Sequence, residues 1–235
     1  MRLKHSPIIK CWICGELDKI SREHKIKKTN LKILREPTSK KPLHLTNFER
    51  KYKVKGRDAD CLKSKAPMCA HCNNKRTQRS DKAWDVLSEF FQDKQIINAG
   101  QSINLGKIFK GSVKKNMLLV HLYFIKLFGC AVVEYRLSGI HISDFSTAIM
   151  NETAHPNFYI AFTDVPKNFP ILLGYSNLEI ERHTITGKII CAGMFIQYGN
   201  FAVRILFSDE TEIRAGLLSS WHPTNINKIL KIKKF

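Results

Sequence analysis

Two cysteine pairs, Cys11-Trp-Ile-Cys14 and Cys69-Ala-His-Cys72, bracket an adjacent carboxylate and imidazole, Glu23-His24, and an amide, Asn73, follows the last cysteine directly. Two residues between cysteines let one tight turn aim both sulfurs at a single ion, and two such turns supply the four thiolates of a tetrahedral Zn²⁺ site. Four thiolates close the coordination sphere, so this zinc is expected to be structural, with no open position for a reacting water. The 54 residues between the knuckles, 15 to 68, exceed the spacing inside one compact finger. Either a long inserted loop joins the knuckles or they belong to separate elements; a single shared site is expected.

Competing readings of the cysteines are a disulfide pair or a redox-active dithiol. The start, Met1-Arg-Leu-Lys-His-Ser-Pro7, has no apolar stretch of the kind a signal peptide needs, which points to a reducing cytoplasm and away from structural disulfides. Of seven cysteines, Cys61, Cys130 and Cys191 are left without a role, with Cys61 or His71 the substitutes should a ligand differ.

Charge names the expected partner. Residues 1 to 82 hold 23 Lys and Arg against 8 Asp and Glu (+15), whereas residues 83 to 235 hold 16 against 12 (+4). The excess therefore lies beside the knuckles, in runs such as Lys25-Ile-Lys27-Lys28, Lys51-Tyr-Lys53-Val-Lys55-Gly-Arg57 and Lys75-Arg76-Thr-Gln-Arg79. Such clusters suit a polyanion whose condensed counterions are released on binding, so nucleic acid is favoured over a merely solvated face or an acidic protein. Lys25, Lys27, Lys28, Lys75, Arg76 and Arg79 are the expected phosphate contacts, and Tyr52 is available for stacking.

Cys11, Cys14, the pair Glu23-His24, and Cys69 and Cys72 followed by Asn73 together resemble the HNH endonucleases of the His-metal-finger (ββα-metal) superfamily, in its zinc-containing branch. The resemblance covers about residues 8 to 85. It implies a ββα-metal, treble-clef-like unit in which His24 is the general base for the attacking water. Glu23 and Asn73 would hold Mg²⁺ or Mn²⁺ through oxygen, the donor type hard cations prefer. It also implies a setting in mobile elements, restriction or phage defence, with a regulatory or effector protein as a possible partner. Glu23 stands where Asp is commoner, and the proline common after the catalytic His is absent from Lys25-Ile26-Lys27. The middle Asn of the motif has two candidates, Asn30 and Asn47, and an orienting backbone carbonyl is the alternative. Strand geometry adds a constraint: neighbouring side chains on one strand point to opposite faces, so Glu23 and His24 share a pocket only across a twist or an edge.

These residues need elements to hold them. Asn73 and Asn74 read as N-caps of a helix following Cys72, with Asp81 as a further cap or a partner for one of the arginines. Residues 82 to 91 place Trp84, Leu87, Phe90 and Phe91 at the helical period. Residues 25 to 68 read as a polar, basic loop containing Pro37, Pro42, Gly56 and Pro67, with 51 to 57 either lying over the substrate or forming an ordinary solvent-facing strand. A break is expected at Asn98-Ala-Gly100-Gln. Residues 114 to 128 read as a buried helix, too short and too interrupted by His121 and Lys126 to cross a bilayer, with Gly129 as its C-cap and His121 in the core. A short helix is expected over 143 to 151. Strands are expected over 158–162, 177–182, 188–197 and 201–207, with Tyr198-Gly199-Asn200 turning the last hairpin of an antiparallel sheet. Trp221-His222-Pro223 reads as exposed and 228 to 234 as a frayed basic tail.

The fold class expected is α+β, with a zinc-stabilised ββα-metal unit over 1–90 and a helical and antiparallel-sheet accessory domain over 91–235. The function expected is metal-dependent hydrolysis of phosphodiesters, DNA favoured. A zinc-stabilised nucleic-acid-binding module that does not cut, and an RNA-directed nuclease, remain as alternatives.

Overall fold

The computed structural model describes residues 10–17, 19–34, 44–46, 49–93, 97–166, 173–209, 217, 221–225 and 228–234. Pro37, Pro42 and Asn47 lie outside the described residues. The architecture is mixed α and β. Strand β1 (Ile20–His24) is followed by helix α1 (Lys28–Leu34) and two short strands, β2 (His44–Thr46) and β3 (Lys51–Lys53). Strand β4 (Lys63–Cys69) returns antiparallel to β1, pairing Ile20 with Cys69 and Arg22 with Pro67. The register slips between Arg22 and His24, so that His24 faces Lys63.

One wide π turn, Cys72–Arg76, leads into helix α2 (Gln78–Gln92). Thr77 sits at the junction, and its hydroxyl donates to the carbonyls of Cys72 and Asn73 at 3.1 and 3.2 Å. Asn73 and Asn74 thus lie inside the turn and do not cap the helix. Of the predicted stripe on α2, Trp84, Leu87 and Phe91 are fully buried and Phe90 is partly buried against the core, each fully buried side chain contributing about 1.5–3 kcal/mol of transfer free energy.

After strand β5 (Ser102–Asn104) comes helix α3 (Val113–Glu134), buried along most of its circumference. It runs straight through Gly129, which is no cap. A Cβ built there would lie 2.5 Å from Cη2 of Trp12, so the glycine leaves room for an indole from the first knuckle. Among the described residues α3 alone is long and apolar enough to cross a membrane, and 78% of its most apolar window is buried within the fold.

Helix α4 (Ile142–Asn151) matches the expectation for that segment. Strands β6 (Phe158–Asp164), β7 (Leu173–Tyr175), β8 (Glu179–Arg182), β9 (Ile189–Tyr198) and β10 (Phe201–Ser208) follow, and β11 (Ile229–Lys231) closes the chain against β5. The β9–β10 hairpin turns through Gly199 at φ +68°, a conformation glycine adopts at no steric cost. The main sheet has the order β3-β2-β7-β9-β10-β6, with β8 paired to β9. It is antiparallel except at one place, where β2 runs parallel to β7 through Thr46 and Gly174. The insertion between the knuckles, expected as a loop, therefore contributes two strands to the C-terminal sheet.

An aromatic layer joins helices to sheet. Trp84 stacks on Tyr123 at 5.4 Å and meets Phe124 edge-on at 4.8 Å, while Phe91 stacks on Phe201 at 4.9 Å. One apolar core runs from Cys11 to Ile232, with side chains from both 1–90 and 91–235. Trp221 is bridged to Ile160 and His222 is buried, so this segment is built into the fold. The same holds for the basic end, which forms β11.

Candidate metal centre and active site

Cys11 opens the first knuckle, and Gly15 closes it in the left-handed region (φ +79°), donating its N–H to the Cys11 carbonyl at 2.8 Å. The second knuckle begins at the end of β4 and continues into the π turn, where the Cys72 N–H donates to Cys69 Sγ at 3.3 Å. Antiparallel pairing of β1 with β4 brings the knuckles together. The four sulfurs of Cys11, Cys14, Cys69 and Cys72 lie within 4.8 Å of one another, and Cys14 Sγ is 3.6 Å from Cys69 Sγ. A tetrahedron with Zn–S bonds of about 2.3 Å has edges of about 3.8 Å, so the donor set fits zinc in type, number and spacing. Cys61, Cys130 and Cys191 are outside the cluster, as is His71.

The electrostatics of the bare cluster agree with that fit. Burial and the neighbouring Cys14 and Cys69 sulfurs push the Cys72 thiol well up. Burial acts in the same sense on Cys11, but hydrogen bonds from the backbone at Cys69, Cys14 and Ile13 outweigh it and hold that thiol below its ordinary value. Four thiols this close resist ionising together, and a divalent cation reverses that balance.

Glu23 and His24 obey the alternation of a strand. Glu23 points inward, 7% exposed, with Oε1 at 3.0 Å from Nζ of Lys126 in the middle of α3. Lys126, fully buried, also reaches Asp81 Oδ1 at 2.7 Å and the Thr77 hydroxyl at 3.3 Å. Burial alone would lower the Lys126 pKa; the two carboxylates beside it outweigh that and hold the ammonium charged. His24 points outward and is half-buried. Its Nε2 lies 3.2 Å from the Arg57 carbonyl and 3.7 Å from Asp58 Oδ1. Burial, then Lys28, lower its pKa against the opposing pull of the Arg57 carbonyl, so the imidazole is neutral near pH 7.

Asn73 reaches back to β1. Its Nδ2 donates to the Ser21 hydroxyl at 3.2 Å and to the Arg22 carbonyl at 3.5 Å. The structure thus brings Asn73 against the strand that carries Glu23 and His24, but gives the Glu23 carboxylate to Lys126. The oxygen set Glu23 plus Asn73 is not assembled for a divalent ion in this arrangement. Asn30 is a core residue: it donates to the Ser88 hydroxyl at 2.8 Å and accepts from the Trp84 indole at 3.1 Å. The groups beside the His24 ring are the Arg57 carbonyl and, farther off, the Asp58 carboxylate.

Four of the six basic residues expected at phosphate are ion-paired within the protein. Lys25 pairs with Glu134 at 3.0 Å, Lys27 with Asp85 at 2.5 Å, Lys28 with Asp58 at 2.6 Å, and Arg79 with both oxygens of Glu152 at 2.8 and 2.9 Å. Lys75 is exposed on the π turn, and Arg76 lies beside Cys72. The pairs Lys28–Asp58 and Arg79–Glu152 face solvent, which screens them and leaves them weak.

Sequence reasoning missed Lys126 as the partner of Glu23 and of Asp81. A lysine at the centre of an apolar helix was the available signal, because such a charge is buried only with a partner. Asp58 and Arg57 carry no local motif. No protein-family model, curated protein or solved structure matched this chain.

Proposed function

We propose that this protein is a metal-dependent endonuclease acting on DNA, with structural zinc at the four cysteines and His24 as general base. The observation that carries the reading is the convergence of the sulfur cluster with Asn73 and β1: the same zinc-sized cluster that ties the hairpin to the helical turn sets Asn73 against the strand bearing His24. Two antiparallel strands followed by a helix, with His24 ending the first strand and Asn73 on the first turn, is the arrangement the ββα-metal resemblance calls for. His24 is neutral, half-buried and held by a backbone carbonyl, as a base for water needs to be. The basic excess around it supplies attraction for a phosphodiester backbone.

In this reading a divalent ion neutralises charge on the phosphoryl oxygens when bound. Glu23 and Asn73 are the residues the resemblance assigns to it, and Glu23 would have to leave Lys126, which keeps Asp81 as its counter-ion.

The buried Glu23–Lys126 pair supports a second reading, a zinc-stabilised nucleic-acid-binding module that does not cut. Incubating supercoiled plasmid with the purified protein and Mg²⁺ or Mn²⁺ separates the two. The nuclease converts it to open-circular or linear product; the binder shifts it intact on a gel. A parallel RNA substrate tests the preference for DNA, since only RNA offers a 2′-hydroxyl nucleophile that needs no metal.

A further inference from the structure

Beside the β1–β4 hairpin lies a groove of about 530 Å³. Three tyrosines line it from three separate elements: Tyr52 on β3, Tyr135 just after α3, and Tyr175 on β7. Arg22, Lys63 and Lys65 line it from the hairpin. The segment after β3 joins the groove to His24, because Arg57 and Asp58 touch that ring while Asp60 and Lys63 belong to the groove.

Its charge is uneven in a particular way. Arg22 is paired with Asp60 at 3.0 Å and fixed by the carbonyls of Ser64 and Lys63 at 2.8 and 3.3 Å. Lys25 is paired with Glu134. Lys63 and Lys65 have no ion-pair partner among the described residues, so they are the groove's surplus cations. The aromatic side is also unsatisfied: Tyr135 is 44% exposed, its hydroxyl anchored on Asn177 Oδ1 at 2.9 Å so that the ring is held in place. Burial raises the phenols of Tyr135 and Tyr175, the latter to about 12, so neither carries negative charge at neutral pH.

We infer that this groove binds unpaired DNA nucleotides, stacking a base on Tyr135 and placing neighbouring phosphates at Lys63 and Lys65. A fixed, neutral aromatic next to free ammonium groups is the chemistry of single-strand binding, where bases offer a π-face that a duplex keeps stacked inside. The volume lies within the range of clefts that take small ligands and suits one or two splayed nucleotides. The inference rests on the nucleic-acid-binding part of the proposed function and adds that the strand next to His24 is unpaired.

Fluorescence anisotropy on the full-length zinc-loaded protein, without Mg²⁺, tests this with labelled dT12, a 12-base-pair duplex and rU12. The expected result is tighter binding of dT12 than of the duplex, a loss of about tenfold or more on dT12 in Tyr135→Leu, and a smaller loss in Tyr135→Phe, which keeps the ring but not its anchor on Asn177, with duplex binding unchanged in both. Lys63→Gln with Lys65→Gln should flatten the salt dependence of dT12 binding. Equal dT12 affinity of wild type and Tyr135→Leu, or an equal loss on duplex, overturns the inference while leaving the nucleic-acid reading intact. Tighter binding of rU12 than dT12 overturns the choice of DNA. Binding of no nucleic acid overturns both the groove and the reading beneath it.

Discussion

Glu23 on β1 and Lys126 at the centre of α3 form an ion pair 3.0 Å long in the protein interior, and Asp81 on α2 completes it from the other side at 2.7 Å. Three elements are thereby locked through one ammonium group. Removing that group leaves two carboxylates facing each other in the core. Lys126→Met should therefore cost about 3–5 kcal/mol, read as a fall in the denaturant midpoint. Glu23→Gln leaves Asp81 on Lys126 and should cost less, about 1–3 kcal/mol. Equal losses would mean that Asp81 does not hold the lysine.

Gly129 on α3 faces the Trp12 ring at a distance that admits no Cβ. Alanine is the better helix former by about 1 kcal/mol, yet Gly129→Ala should destabilise the protein by about 1–3 kcal/mol because the indole must move. Trp12 sits between the first two cysteines' positions, so displaced packing should also lower zinc retention. In a Trp12→Ala background the sign should reverse, and thermal denaturation of the four members of that cycle measures it.

The sulfur cluster predicts one zinc per chain in native mass spectrometry. Cys69→Ser should abolish it. Chelation should strip amide-exchange protection from β1 and β4 first, since structural zinc supplies about 10–16 kcal/mol in comparable sites and this hairpin is short and polar. Unchanged protection of β1 after chelation would contradict a structural role for the ion.

His121 is fully buried in α3, accepts the His155 N–H at 3.2 Å, and faces the rings of His222 and Phe158. Burial, then His222 and His155, hold its pKa well below the ordinary value in the folded protein. The unfolded chain takes up that proton near pH 6.5, so stability present above this pH is lost as pH falls below it, at up to about 1.4 kcal/mol per pH unit for this residue. His222, also lowered by burial, adds to the slope. His121→Leu should be less stable at pH 7.5 but flatter between pH 6.5 and 5.5, as melting temperatures across that range will report.

Much of this was readable in the chain because it rests on short-range spacing. The knuckles, the α2 stripe of Trp84, Leu87 and Phe91, α4, and the β9–β10 hairpin all follow from local periodicity and turn chemistry. The opposition of Glu23 and His24 followed from strand alternation alone. What was not readable depends on partners distant in sequence. Gly129 reads locally as a cap, because a helix-ending glycine and a glycine under an indole from residue 12 have the same local sequence. Strands β2 and β3 have three residues each, too few for a period; β2 is placed by pairing with β7 at Thr46 and Gly174, and β3 by pairing with β2. The tail 228–234 reads as polar and basic, yet β5 pairs with it.

His24 is the residue on which the endonuclease reading turns. Nicking of supercoiled plasmid by wild type and by His24→Ala, at equal zinc content and with Mg²⁺ or Mn²⁺ present, tests it most directly. Metal-dependent nicking by wild type should fall by at least about 10²-fold in the variant, the lower end of what a positioned general base contributes. Nicking that survives the substitution unchanged, or its absence from wild type while the plasmid remains bound, would contradict that reading.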